Sequence, residues 1–193
     1  MHAIRFALVG LFLVGAVGCA TPKPQTVRVD PPVQQDAAQA AGDIAIGLAV
    51  VDLRPADKLG TLNDAHGKVV DVNTAEGSTA AIQRRLTEAL AAKGFRVKPL
   101  SDDDPRKLVV ELRELSYGAN RRAFNYDVSL AAGVSAKASN GEESFLRKYE
   151  VTQRKGQGDP PSEPESTKIV NDGLAMALDD LLSDAELLAL LKQ

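Results

Sequence analysis

The chain has 193 residues, is 44% hydrophobic and 25% charged, and carries a formal net charge of −3. This composition fits one globular domain with accessory segments. The acidic balance lacks the basic footprint of a general nucleic-acid binder, and a single cysteine leaves no intramolecular disulfide to support the fold.

Residues 1–18 have the three-part form of an export signal. His2 and Arg5 open it, Phe6 to Val17 is an apolar run, and Ala16, Val17 and Gly18 precede Cys19. The run is too short to span a bilayer, which takes about 20 apolar residues. Small residues ahead of a cysteine form a lipobox, which makes Cys19 the lipidated first residue of the mature chain. Ala16 stands where leucine is commonest, and the alternative is an ordinary secretory signal with a chance cysteine. Lipid on Cys19 makes the membrane the first expected partner, because each buried CH₂ contributes about 0.8 kcal/mol and two or more acyl chains hold stably. Ala20, where an aspartate would retain the protein at the inner membrane, points to the outer membrane and a periplasm-facing domain.

Residues 19–43 read as the lipidated cysteine and a flexible tether. Pro22, Pro24, Pro31 and Pro32 punctuate this stretch, and its composition gives a reach of roughly 25–30 Å. Thr26 to Val29 alternates and competes as a short edge strand. Residues 44–193 are expected to fold as one domain.

Ile44 to Leu53 is almost continuously apolar, as in a buried strand. Residues 56–76 form a long polar connection, in which Lys68 to Val72 adds a short strand. A helix over Ser78 to Lys93 places Ile82, Leu86, Ala89 and Leu90 on one face, with Ser78 as N-cap and Gly94 as the left-handed C′ residue. A strand follows from Phe95 to Leu100. Asp102, Asp103 and Asp104 lack the alternating ligands of a calcium loop and read as a solvated turn. Lys107 to Tyr117 is a strand whose apolar phase switches between Leu112 and Leu115, which predicts a bulge near Arg113 and Glu114. Phe124 to Ala138 alternates strictly. Asn140-Gly141 predicts a two-residue hairpin turn, setting Ser139 opposite Glu142, Ala136 opposite Phe145, Ala132 opposite Tyr149 and Leu130 opposite Val151. Arg147 then falls opposite Val134, with a buried stem and a solvated head. After a polar loop over 156–165, a helix begins at Ser166. Ser183 and Glu186 form a capping box for a short leucine-rich helix. The expected fold class is α+β: a mostly antiparallel sheet of four to five strands, two main helices on one face, and a short C-terminal helix.

Candidate chemistry is sparse. His66 is the one histidine outside the signal, so a His/Cys zinc site is not expected. No nucleophile elbow or phosphate-binding loop is present, and the expectation is a non-catalytic chain with no metal or cofactor. Convergence of Asp52, Arg54 and His66, or a pocket of paired carboxylates, would favour the alternative of an envelope hydrolase. The hairpin register places Arg121, Arg122, Arg154 and Lys155 at one sheet end. This patch suits an anionic lipid or an envelope protein, against the alternative of a solvated sheet end.

The lipobox at Cys19, the runs VVDLRPADKLGTL at 50–62 and ALAAKGFRV at 89–97, the strands LVVELRELSYGA and NYDVSL, and the C-terminal ALDDLLSDAELLALLK together resemble the YajG-type lipoproteins of proteobacteria. The resemblance implies an outer-membrane lipoprotein without an established activity and with no catalytic residues to transfer. The function expected is a binding or scaffolding module of the cell envelope.

Overall fold

The computed structural model describes residues 23–35 and 44–193. Its spine is strand β6, Lys107–Arg121. One flank of β6 pairs along its length with antiparallel β7, Tyr126–Ser139, which pairs in turn with β8, Ser144–Gln157. The other flank is divided. Its first half pairs in parallel with β2, Ile44–Asp52, and β2 with β5, Phe95–Pro99. Its second half pairs in parallel with β3, Lys58–Asn63, which forms a hairpin with β4, Val69–Thr74. Strand β1, Gln25–Val27, closes that arm in parallel with β4.

Among the described residues the sheet thus has eight strands, and four of its seven pairings are parallel. This corrects the expected four-to-five-strand, mostly antiparallel sheet. The stretch read as a long polar connection supplies β3 as well as β4, which falls where the short strand at Lys68 to Val72 was expected, and the parallel pairings arise from crossovers that carry no local turn signature. The bulge does occur, as a register shift between Leu112 and Glu114. It lies where the sheet forks, and the Leu53 N–H there still donates to the Leu112 carbonyl at 2.9 Å.

Close backbone approach at the fork depends on Gly60. Its φ is 151°, and a Cβ there would sit 2.1 Å from the Tyr117 carbonyl oxygen, so no larger residue fits without moving β3 off β6.

Among the described residues three helices lie on the sheet. Helix α1, Ser78–Ala92, packs on β2 and β5 and buries Ile82, Leu86, Ala89 and Leu90 as its periodicity predicts. Its N-cap is Gly77 in the left-handed region, not Ser78, whose hydroxyl donates to the Ala75 carbonyl. Helix α2, Glu163–Ser183, packs on β7, β8 and β1. It starts earlier than expected because the Glu165 carboxylate reaches back to accept from both the N–H and the hydroxyl of Ser162. Gly173 lets α2 approach so closely that a Cβ would lie 1.9 Å from Leu130 Cδ2. Helix α3, Ala185–Lys192, is capped by Asp184, which accepts from the N–H groups of Glu186 and Leu187. The expected Ser183/Glu186 box does not form, because the Ser183 hydroxyl turns back to the Asp179 carbonyl.

The β7–β8 register is displaced by two residues from the expected one. Ala138 faces Phe145, Ala136 faces Arg147, Val134 faces Tyr149 and Ala132 faces Val151. The connection is longer than Asn140-Gly141 alone: Asn140 Oδ1 accepts from the Glu143 N–H at 3.1 Å, and the Asn140 N–H donates to the Glu143 carbonyl. A shift of two leaves every side chain on its intended face. Arg147 keeps the expected face but is exposed, not buried at its stem, and its guanidinium lies 4.9 Å from the Phe145 ring centroid and is ion-paired with Asp184 and Glu186.

Part of the expected tether belongs to the fold. Beyond β1, residues 28–35 continue as a strap, with Val27, Val29, Pro31 and Val33 buried. Asn171 of α2 accepts from the Asp30 N–H and donates to the Arg28 carbonyl, matching the strap as a strand would. Asp30 receives Arg84 and Arg85 from α1, and these contacts hold its carboxyl below its ordinary pKa, the Arg85 hydrogen bond foremost.

Candidate functional site

Four chain segments meet at one end of the sheet. The β6–β7 hairpin tip is closed by the Arg122 N–H donating to the Asn125 carbonyl at 2.7 Å. Beside it lies the β3–β4 turn, tied in because the Arg121 N–H donates to Asn63 Oδ1 and the Tyr126 hydroxyl donates to the Asp64 carbonyl. The β8–α2 connection comes next, and Gln25 of β1 bonds the Pro161 carbonyl through its side-chain amide at 3.0 Å. Since β1 runs parallel to β4 and pairs Gln25 with Val72, residues preceding Gln25 head toward the β3–β4 turn. The described chain therefore enters the fold at the hairpin-tip end.

The tip presents Phe124, which is 97% exposed. The alternation from Phe124 to Ala138 puts it in phase with Tyr126, Val128 and Leu130, which are buried. The β7 strand begins at Tyr126 instead, so Phe124 projects past the last pairing, where no core remains to receive it. Arg121 and Arg122 flank it, and both are exposed. Arg122 pairs with Asp127 at 3.2 Å. A shallow depression next to the tip is lined by Arg121, Arg122, Phe124, Asn125 and Asp159.

The other two cations of the sequence-derived patch do not join the tip. Arg154 and Lys155 face Ser129 and Val128, and adjacent residues of a strand point to opposite sides. Lys155 therefore lies on the helix side, where it lines a small cleft with Asp172 of α2, while Arg154 lies on the open side. The expected four-cation cluster is an Arg121/Arg122 pair at the tip and two separated charges. Cys19, the expected lipidation site, lies outside the described residues.

Asp52 and Arg54 form a bidentate pair at the fork, with Arg54 Nη2 2.6 Å from Asp52 Oδ2 and Nε 3.0 Å from Oδ1. Burial raises the Asp52 pKa, but the Arg54 bonds outweigh it and hold the carboxyl below its ordinary value. His66 is in the β3–β4 turn, where its N–H donates to Asp64 Oδ1. Arg54 adjoins Thr74, at the opposite end of that hairpin, roughly 17 Å away at the strand rise. The trio that would mark a hydrolase is not assembled. In the aspartate turn, Asp104 is buried and not solvated: it accepts from the Ser101 N–H and pairs with Lys98. Among the described residues no His, Cys, Asp or Glu group is placed to hold a metal ion, and no described helix is long and apolar enough to cross a membrane.

The opposite face of the sheet carries no helix among the described residues. Its centre is lined by small residues such as Ala131, Gly133 and Ser135 of β7. Glu111 is buried among them, bonded to Lys137 at 2.6 Å and to Arg113. These bonds, Lys137 foremost, depress its pKa despite desolvation. At the margin, β8 pairs with β7 alone among the described strands, and Leu146 on it is 68% exposed.

A family model described as an uncharacterized lipoprotein matches residues 31–192. The chain belongs to that family, the YajG lipoproteins. No protein of curated function matches the sequence. Among solved structures, this YajG-family lipoprotein is similar to protein XCC0632 from Xanthomonas campestris, at 11% identity and a TM-score of 0.56, covering 87% of this chain and 95% of that one. An uncharacterized protein matches at 11% identity and a TM-score of 0.51, covering 82% and 97%. A putative neuraminyllactose-binding hemagglutinin homolog from Helicobacter pylori follows at 8% identity and a TM-score of 0.46, covering 83% and 96%. For the first two, identities this low speak to the shared fold alone.

Proposed function

We propose that this YajG-family lipoprotein is anchored in the outer membrane through lipid on Cys19, faces the periplasm, and works as a non-catalytic binding or scaffolding module of the cell envelope. Family membership supports the anchor. The observation that carries the binding role is the sheet face on which no described helix lies, together with the open edge of β8, Ser144–Gln157, which pairs with no described strand beyond β7. A free strand edge offers backbone donors and acceptors to an added strand, and alternate side chains such as Leu146 and Lys148 supply selectivity.

The test has two parts. Palmitate labelling and membrane fractionation of Cys19→Ser should show loss of label and of the detergent-requiring fraction. Photocrosslinkers placed at Leu146 and Thr152 of β8 should capture one recurrent envelope partner in cells, while one at Lys168 on the outer side of α2 should not. Equal capture from both faces would show that the β8 edge is not the docking surface.

A further inference from the structure

The hairpin tip at Phe124 is a second membrane contact, we infer, inserting into the headgroup region of an anionic phospholipid surface beside the lipid anchor. This rests on the anchor reading above and adds to it the face that meets the bilayer. The expected tether made the domain free to stand away from the membrane, but the strap removes that freedom. From Cys19 to Gln25 the chain spans at most about 20 Å when fully extended, and Gln25 is already paired in β1. The chain enters at the end that carries Phe124, so a lipid on Cys19 brings that end, and not the α3 end, to the surface.

The chemistry of the tip fits what it would meet. A fully exposed phenylalanine beside two arginines is the arrangement of an interfacial insertion, with the ring below the phosphates and the guanidinium groups among them. Lys23 and Lys68 lie at the same end and are exposed. Asp64, Asp127 and Asp159 also face it. Two of them are engaged: Asp64 accepts backbone N–H groups of the β3–β4 turn, and Asp127 pairs with Arg122. The far end of the sheet carries the β7–β8 connection with Glu142 and Glu143, a composition an anionic surface repels.

The chain contains no tryptophan, so Phe124→Trp and, separately, Leu146→Trp each introduce a unique fluorophore at an exposed position. The mature lipidated variants are reconstituted into phosphatidylcholine vesicles with or without phosphatidylglycerol, in the presence of brominated lipids. The indole of Phe124→Trp should emit to the blue and be quenched by bromolipid, more so with phosphatidylglycerol, while that of Leu146→Trp should stay accessible to aqueous quencher. Adding Arg121→Gln and Arg122→Gln should lower the ratio of inserted to free tip roughly fivefold per charge removed. Anchored Phe124→Trp protein whose indole remains as water-accessible as that of Leu146→Trp overturns this inference alone, including the case in which it is shielded only when an envelope protein is added. A Cys19 peptide whose mass shows no lipid overturns the anchor and this inference with it.

Discussion

Asn171 on α2 holds the Asp30 backbone from the side, accepting its N–H at 2.8 Å while donating to the nearby Arg28 carbonyl at 2.9 Å. One amide thus satisfies both backbone groups that a missing sheet partner would leave open. Asn171→Leu should destabilise the protein by about 1–3 kcal/mol, because two part-buried backbone groups lose their partner. Urea unfolding measures the loss. Limited proteolysis should then cut preferentially within residues 28–35, and unchanged protection of that stretch would count against the strap's dependence on α2.

Asp184 gathers three roles. It caps α3, accepts the Tyr149 hydroxyl at 2.7 Å and pairs with Arg147 at 2.5 Å. Burial pushes its pKa up, but the Tyr149, Leu187 and Arg147 bonds together hold it below the ordinary value of 3.8. A depressed carboxylate contributes stability above its unfolded pKa and loses it as pH falls through the folded one. Asp184→Ala should therefore cost about 1–2 kcal/mol at neutral pH, from the lost cap and hydrogen bonds. The cost should shrink below pH 3.8. A cost unchanged into strong acid would show that packing and not charge carries it.

Tyr149 gives the opposite limb. Burial first, then the Asp184 carboxylate, raise its phenol above the ordinary 10.0. The unfolded chain ionises earlier than the folded one, so stability should fall as pH rises past 10.0. Tyr149→Phe should flatten that alkaline fall, as read by thermal melts across the range. An identical slope in the variant would assign the fall to other groups.

Gly60 and Gly173 both stand where a methyl group collides, but with different neighbours. At Gly60 the obstacle is the Tyr117 backbone oxygen, and at Gly173 it is the end of the Leu130 side chain. Gly173→Ala should cost about 1–3 kcal/mol and be partly rescued by Leu130→Val. Gly60→Ala has no side chain to trim and should separate β3 from β6, which hydrogen exchange at Thr61 and Leu62 would register.

What could be read from the sequence was local and periodic. Helices α1 and α2 and strand β7 keep one phase for many residues, and β6 keeps one on each side of its bulge, so their core faces were visible before any pairing was known. Strand β3 was hidden because an irregular register between Lys58 and Gly60 spaces its buried Leu59 and Leu62 three apart, breaking the alternation of a strand. The strap was hidden by its prolines. Val27, Val29, Pro31 and Val33 do alternate, but proline marks a linker and also suits an edge whose N–H groups have no ladder partner. At the candidate site, Arg121 and Arg122 were legible at a sheet end. Phe124 was not, because its phase is that of the core and only the end of pairing shows that the core has stopped.

The strap also sets how the domain bears load. A pull on the chain ahead of Gln25 runs along β1, whose bonds to β4 lie across that direction, so they are strained together in shear and not opened one after another. Behind them, Val29 and Val33 are seated in the core, and Asp30 is held by Arg84, Arg85 and Asn171. Mechanical extraction must break this group at once, and its rate is governed by the unfolding barrier. The strap is thus a force clamp, through which tension on the chain ahead of Gln25 is passed to the sheet and to α1 and α2 together.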